Sequence, residues 1–330
     1  MNEVRAFRAE DADGVLALLV DALGPDAPSA SWFGDYVLLE PNFDPEGLIV
    51  AVEDGRVVGA VHAVHARHAG RTLGRSGAMP VDPETGWITW FAVHPDHRRR
   101  GLGARLLTAA ADYLARAGAT TLVVSGYPPA YLTPGVDAVQ FPDAVRLLER
   151  CGFDVASRPV AMDAPLATYR VPASVRELRA RLESEGRTFA PARLAEIPEI
   201  AAFASQRLAP DWGEVLRASV GRHRHPERVI VAREGAAGPV IGFATYAAYP
   251  AAGIDRFGPF GVDPDVRGGG LGAVLLHETL AAMRREGAHS AWFLWTGATS
   301  PAATLYRRSG FDVTRTFDVM TRSTHPAIDA

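Results

Sequence analysis

The sequence predicts a mixed α/β protein that contains two domains of the same kind. Three observations lead to this fold class. A segment in which an apolar, strand-like run turns through glycines into a helix-like pattern occurs twice, at residues 91–104 and 260–273. The two copies keep a constant offset of 169 residues, as between Arg98 and Arg267. The length of 330 residues suits two domains of ordinary size with full cores.

Composition narrows the class of protein. The net charge of −4 argues against extensive nucleic-acid binding. We find no apolar run long enough to span a membrane and no signal-peptide core after Met1, so we expect a cytoplasmic protein without a membrane partner. The one cysteine, Cys151, excludes an intramolecular disulfide and a cysteine cluster, and we expect no metal site.

The repeated glycine-rich segment predicts an anion site. Alternating glycines let backbone N–H groups converge at the start of a helix, where those groups lack intrahelical partners. The helix dipole and a neighbouring arginine add positive potential, which favours phosphate or pyrophosphate. A tight strand-to-helix turn would use the same residues. A Walker loop is excluded because the chain has no lysine, and neither copy supplies a dinucleotide fingerprint.

Patterns in the first half predict an ordered series of elements. We expect a strand at 4–7 and a helix after Asp11 or Asp13, then a Pro-rich segment at 24–44 that either covers an acceptor site or is a surface loop. Asp54-Gly55 predicts a hairpin between strands 48–52 and 57–65. A strand at 87–93 leads into the first glycine loop, and strand 121–125 follows its helix.

The second half repeats this order with one difference. Residues 126–140 form a Pro-rich insertion that the second copy lacks, and we expect either an acceptor or interdomain contact or a rigid surface loop. We expect a short helix at 175–184, then strands near 188, 229–232 and 240–247 and a strand leading to Val262. The strand 290–295 and a closing pair of strands at 312–320 complete the series.

These motifs resemble the GCN5-related N-acetyltransferase (GNAT) superfamily. Arg-Arg-Arg-Gly-Leu-Gly at 98–103 and Arg-Gly-Gly-Gly-Leu-Gly at 267–272 are similar to its acyl-CoA loop, and each copy continues to a helix that ends in Gly-Phe, at 152–153 and 310–311. The resemblance implies mostly antiparallel mixed sheets flanked by helices. It places an N-terminal domain at 1–165, a linker at 166–186 and a C-terminal domain at 187–330.

The resemblance also implies acetyl-CoA as the donor and residues that hold it. In the C-terminal copy these residues are Phe260, Gly261, Val262, Arg267, Gly268, Gly269, Gly270, Leu271, Gly272 and Ala273. In the N-terminal copy they are Ala92, Val93, Arg98, Arg99, Arg100, Gly101, Gly103 and Ala104. A backbone N–H on the strand before each loop would polarise the thioester carbonyl.

The two copies differ where the family places its general acid. Tyr306 stands five residues before Phe311, whereas Leu148 stands five before Phe153 and has no proton to donate. We therefore expect catalysis in the C-terminal domain, with Tyr306 as acid and Asp255, before the central strand, or a chain of solvent molecules as base.

The resemblance implies transfer of an acetyl group to a primary amine of a small molecule, such as an amino sugar, by direct attack in a ternary complex. Two alternatives remain open at this point: an enzyme like mycothiol synthase, and a non-catalytic acyl-CoA-binding or sensor protein. We expect a monomer or a homodimer.

Overall fold

The computed structural model describes residues 3–66, 82–128, 131–249 and 253–324. These residues divide into two compact units. The first unit holds the described residues up to Pro159 and those from Arg315 onward, and the second holds residues 160–314. These limits differ from the predicted boundaries because the chain returns to the first unit at its end.

The strands and helices are numbered in chain order. The strands are β1 Glu3–Ala6, β2 Leu48–Glu53, β3 Arg56–His65, β4 Thr85–Val93, β5 Thr121–Val124, β6 Asp154–Ser157, β7 Pro159–Pro165, β8 Arg187–Pro191, β9 Val229–Glu234, β10 Val240–Tyr246, β11 Phe257–Val262, β12 Ser290–Gly297, β13 Asp312–Thr316 and β14 Val319–Ser323. The α-helices are α1 Ala12–Leu23, α2 Ala30–Phe33, α3 Leu102–Ala117, α4 Pro142–Arg150, α5 Ala173–Ser184, α6 Ile197–Phe203, α7 Trp212–His223, α8 Leu271–Arg285 and α9 Pro301–Arg308.

The first unit is built on a seven-stranded sheet in the order β1-β2-β3-β4-β5-β14-β6. Among the described strands of this sheet, only β4 and β5 pair in parallel, and the other neighbours are antiparallel. The predicted hairpin joins β2 to β3, with positive φ at Asp54 (50°) and Gly55 (76°) as a two-residue turn requires. The last of the described strands, β14, lies inside this sheet, and Met320 on it is fully buried.

Helices cover both faces of this sheet. The spacing of Leu102, Leu106 and Leu107 gives α3 one apolar face, which is buried against residues of β2, β3 and β5. On the opposite face, Val15 and Leu19 of α1 pack with Val50 and Trp90. The unit therefore has a core on each side of the sheet.

The second unit repeats this plan with two smaller sheets. One has the order β11-β10-β9-β8, and the other has the order β12-β7-β13. Leu275 and Leu280 of α8 are buried in the larger core, and α6 and α7 supply the core on the other face. The predicted mixed sheets with flanking helices are therefore confirmed in both units.

In each unit, two neighbouring strands separate before the glycine loop. The ladder between β4 and β5 extends through Ile88 and Val124, beyond which β4 continues to Val93 without pairing to β5. In the second unit, β11 and β12 are joined by one parallel bridge between Arg256 and Trp292. Each pair of strands therefore opens a gap that ends at a glycine loop.

The segment predicted as a linker belongs to the second unit. Residues 173–184 form α5, whose Val175 and Leu182 are buried in the core that also contains α8. Arg179 of α5 forms an ion pair with Glu278 of α8 at 2.6 Å. Packing against α8 thus explains why this stretch is an ordered helix.

We find no helix in the described part of the chain that is long and apolar enough to cross a lipid bilayer.

Candidate acyl-CoA sites

The first glycine loop presents backbone N–H groups at the start of α3. Arg99 (φ 63°) and Gly101 (φ 78°) both adopt positive φ, which turns the chain tightly into the helix. Arg98 fastens the loop to β4, because its Nε donates a hydrogen bond to the Val93 carbonyl oxygen at 3.0 Å. A Cβ atom on Gly101 would meet no atom within 4 Å, so the space in front of the helix is open. This is the geometry of an anion cradle.

The strand before the loop directs two amides into the gap. The His94 N–H donates to the Val58 carbonyl oxygen on β3 at 2.9 Å. Since amides along an antiparallel strand alternate in direction, those of Ala92 face β3 and those of Phe91 and Val93 face away from it. The side away from β3 is the gap between β4 and β5. These two N–H groups can therefore polarise a carbonyl placed in the gap.

A cleft of about 610 Å³ joins the loop to this gap in the first unit. Seven of the predicted N-terminal binding residues line it: Ala92, Val93, Arg98, Arg99, Gly101, Gly103 and Ala104. Arg100 is exposed and is not among the residues that line it. The predicted residues are therefore brought together, with one exception.

The second loop has the same local geometry. Gly268 (φ 92°) and Gly270 (φ 90°) adopt positive φ, and the Arg267 Nε donates to the Val262 carbonyl oxygen at 3.2 Å. The difference lies in the surroundings: a Cβ atom on Gly270 would lie 2.8 Å from Leu178 of α5. Arg181 of α5 also donates to the Gly269 carbonyl oxygen at 3.2 Å. Helix α5 therefore packs directly on the second loop.

Tyr306 lies beside the gap of the second unit. Its ring is 4.5 Å from that of Phe293 on β12 and 6.1 Å from that of Phe260 on β11, measured between centroids. Burial raises the pKa of the Tyr306 hydroxyl above its usual value, so the group stays protonated at neutral pH. The corresponding residue of the first unit, Leu148, is fully buried in the core. Only the second unit thus places a hydroxyl at this position.

Asp255 lies just before β11, as predicted, and its carboxylate is bonded to the backbone. Its Oδ1 accepts hydrogen bonds from the backbone N–H groups of His289 and Ser290, at 3.0 and 3.2 Å. Five residues of extended chain separate it from Phe260, a span of roughly 15 Å. These hydrogen bonds give Asp255 a structural role at the start of β12, and its role as a base stays a prediction.

A hydrogen-bonded cluster around Arg315 at the first cleft was not predicted. Arg315 donates to both carboxylate oxygens of Asp26 at 2.7 Å, to Asp137 at 2.8 Å and to Gln140 at 2.9 Å. Burial alone would raise the pKa of Asp137, but the hydrogen bonds from Arg315 and from backbone N–H groups outweigh it and lower the pKa. Arg315 thus ties the Pro-rich insertion to the segment after α1. The sequence feature that contained one partner of Arg315 was the Gly135-Val136-Asp137 motif of the insertion.

A buried histidine lies behind the same cleft. His62 is 1% exposed, and its Nδ1 lies 2.7 Å from the Oγ1 atom of Thr89, a residue that lines the cleft. Its Nε2 atom has no hydrogen-bond partner among the described residues. Burial lowers the pKa of His62 from 6.5 to about 3, so the ring is neutral at physiological pH. A neutral, buried ring cannot serve as an efficient proton acceptor.

This buried histidine predicts a loss of stability in mild acid. Between pH 6.5 and about pH 3 the unfolded chain binds a proton at His62 that the folded chain does not, so stability falls as the pH falls. Between pH 7 and pH 5 we expect the free energy of unfolding to drop by about 2 kcal/mol from this group. Urea denaturation at both pH values measures it. His62→Phe should remove that part of the pH dependence, and an equal slope in both proteins would contradict the assignment.

The fold and both loops define a class of protein. Two units in which neighbouring strands separate beside a helix-starting glycine loop have the donor fold of acyl-CoA-dependent acetyltransferases. Residues 18–153 match the Acetyltransferase (GNAT) family, and residues 225–313 match the Acetyltransferase (GNAT) domain. The chain belongs to the GNAT family and is a tandem acetyltransferase.

Similar proteins agree with this assignment over most of the chain. A mycothiol acetyltransferase of Saccharomonospora viridis is 29% identical over 93% of this chain and 94% of its own length. A mycothiol acetyltransferase of Thermobispora bispora is 33% identical over 74% of this chain and 77% of its own. The solved structure of a tandem GNAT protein from the clavulanic acid biosynthesis pathway shares the fold, with a TM-score of 0.64 at 18% identity, covering 99% of this chain and 100% of the other.

Proposed function

We propose that this acetyltransferase moves an acetyl group from acetyl-CoA to a primary amine of a small molecule, and that the second unit performs the transfer. The observation that carries the proposal is the position of Tyr306, a protonated hydroxyl beside the gap between β11 and β12. GNAT enzymes generally use acetyl-CoA, and both loops of this chain have the geometry that suits its pyrophosphate.

The second unit supplies most of the groups that the reaction needs. The N–H groups at the start of α8 and the Arg267 loop would hold the pyrophosphate. The Asp263 N–H donates to the Ile241 carbonyl oxygen on β10, so by alternation the Phe260 and Val262 amides face the gap and would polarise the thioester carbonyl. The amine attacks that carbonyl directly, without a covalent enzyme intermediate. Tyr306 would donate its proton to the departing thiolate, while solvent would take the proton of the amine.

The first unit would then bind acetyl-CoA without transferring its acetyl group. Its cleft has the loop, the two inward amides and room for a ligand of this kind. Leu148 replaces the acid there and is fully buried, so no proton can come from that position. In this proposal the first unit is a donor-binding domain. The hydrogen bonds of Arg315 would then stabilise the wall of its cleft.

For the acceptor we propose a mycothiol precursor in preference to a simple amino sugar. The support is the similarity to two mycothiol acetyltransferases across most of both chains. Release of CoA should be measured with a mycothiol precursor, with glucosamine and with no acceptor, and the acetylated product identified by mass spectrometry. We expect acceptor-dependent release with the precursor. Release with glucosamine alone would overturn the acceptor, and none with any amine would overturn the transfer.

A further inference from the structure

A second concave site lies at the far end of α8 in the second unit. A groove of about 500 Å³ runs between the segment that follows β7, the start of α5 and the last turn of α8. Four of the side chains that line it are arginines: Arg170, Arg176, Arg284 and Arg285. No carboxylate is among the described residues that line it. The groove is therefore strongly positive in a protein whose net charge is −4.

The four guanidinium groups have no acidic partner within the described chain. None of them takes part in an ion pair there, and the acids nearest along α8 are engaged elsewhere. Glu278 pairs with Arg179 at 2.6 Å. Glu286 pairs with Arg228 and accepts a hydrogen bond from Tyr246 at 2.8 Å. None of the four positive charges is thus neutralised by an ion pair within the described chain.

Two of the arginines are held in place by the backbone. Arg176 donates to the Val171 carbonyl oxygen, and Arg284 donates to the Tyr169 carbonyl oxygen. Each bond comes from an Nη1 atom and holds that guanidinium group at the edge of the groove. The start of α5 has no acidic residue in its first turn, so its positive dipole end adds to the charge. Beside that positive end, the charges of Arg170 and Arg176 destabilise the helix when no anion is bound, and they favour the binding of an anion.

The groove is separate from the glycine loop. Helix α8 runs from Leu271 at the loop to Arg285 at the groove. At 1.5 Å per residue this separates the two sites by roughly 20 Å. One pyrophosphate cannot occupy both sites.

We propose that this groove binds a small phosphate-bearing anion, a phosphate monoester or a pyrophosphate, at a site distinct from the donor loops. Guanidinium groups bind phosphate oxygens in pairs, and four of them around one concave surface suit a compact anion with two or more charges. Proteins bind an extended polyanion such as nucleic acid through a longer basic stripe, and the negative net charge of this chain disfavours such a ligand.

The test is a calorimetric titration of the full chain with inorganic pyrophosphate, alone and with saturating acetyl-CoA. The variant is Arg170→Gln/Arg285→Gln, because neither side chain makes a hydrogen bond or ion pair within the described chain. The control is Arg222→Gln/Arg224→Gln, which removes the same charge from exposed positions of the same unit. With acetyl-CoA saturating the glycine loops, we expect one saturable pyrophosphate site, weakened about tenfold or more in the variant and unchanged in the control.

Three results would overturn the proposal. The first is an equal loss in variant and control, which indicates nonspecific attraction. The second is displacement of pyrophosphate by acetyl-CoA with no effect of the groove variant, which assigns the binding to a glycine loop. The third is tighter binding of a single-stranded oligonucleotide, with a steep salt dependence, at the same arginines.

Discussion

Replacement of Tyr306 by phenylalanine is expected to lower kcat for acetyl transfer by about 10²–10⁴-fold, the usual contribution of general acid catalysis. The ring packs among Phe257, Phe260, Phe293 and Phe311, and phenylalanine keeps those contacts. Folding and acetyl-CoA affinity should therefore be nearly unchanged. The measurement is kcat from CoA release, together with the Kd for acetyl-CoA by calorimetry.

A matched control removes a tyrosine hydroxyl from the other unit. Tyr113 of α3 donates to Asp44 at 3.0 Å, and Tyr113→Phe should retain turnover after any small loss of stability. If Tyr306→Phe turns over at the rate of the unmodified enzyme, Tyr306 is not the acid. An unchanged rate would also leave the first unit as a candidate for the chemistry.

Met320→Ala should destabilise the first unit although it lies near the end of the chain. Met320 is fully buried in the core that contains α3, on a strand that pairs with both β5 and β6. Truncation of a buried methionine to alanine costs about 2–5 kcal/mol. Urea denaturation measures this loss of stability. Hydrogen exchange at increasing urea concentration should show that the backbone N–H groups of β4 and β5 lose their protection early.

The control for Met320 is Val313→Ala on β13. Val313 is 42% exposed, so its truncation should change stability by less than about 0.5 kcal/mol. Early loss of protection in the second unit, with β4 and β5 unaffected by Met320→Ala, would contradict the described strand order.

The repeated loops could be predicted because their information is local. Arg98 to Gly103 and Arg267 to Gly272 carry the turn, the positive φ positions and the helix start within six residues each. The hairpin at Asp54-Gly55 was predictable for the same reason. Helix α3 followed from the spacing of its leucines, which a single amphipathic face requires.

Strand partners could not be predicted from such signals. The sequence predicted closing strands at 312–320, and the structure has β13 and β14 there, but the two join different sheets. Pairing between β14 and β5 depends on packing across some two hundred residues, as in Met320 against Val124, and no short pattern records it. The predicted end of the first domain missed this returning segment.

Site residues outside the loops were predicted less well. Asp255 accepts hydrogen bonds from the N–H groups of His289 and Ser290, which the sequence did not indicate, and its role as a base stays a prediction. Arg315 could not be connected with the cleft, because Asp26 and Asp137 are far from it in sequence. The role of Tyr306 stays a prediction, supported by its place beside Phe260 and Phe293.

The central claim is that the acetyl group is transferred from acetyl-CoA bound at the second loop, while the first loop binds acetyl-CoA without transfer. Ala273→Glu and Ala104→Glu test it at matched positions, since each residue is half-buried in the first turn of its helix. The positive end of the helix dipole stabilises a carboxylate at this position, but the carboxylate repels a bound pyrophosphate. Gly270 is a poorer probe, because its substitution would also disturb Leu178.

The measurement is the initial rate of acceptor-dependent CoA release by these two variants at the same acetyl-CoA concentration. We predict that Ala273→Glu abolishes turnover and that Ala104→Glu retains most of it while one acetyl-CoA binding event is lost in calorimetry. Turnover that survives Ala273→Glu and disappears in Ala104→Glu would contradict the account and place the chemistry in the first unit.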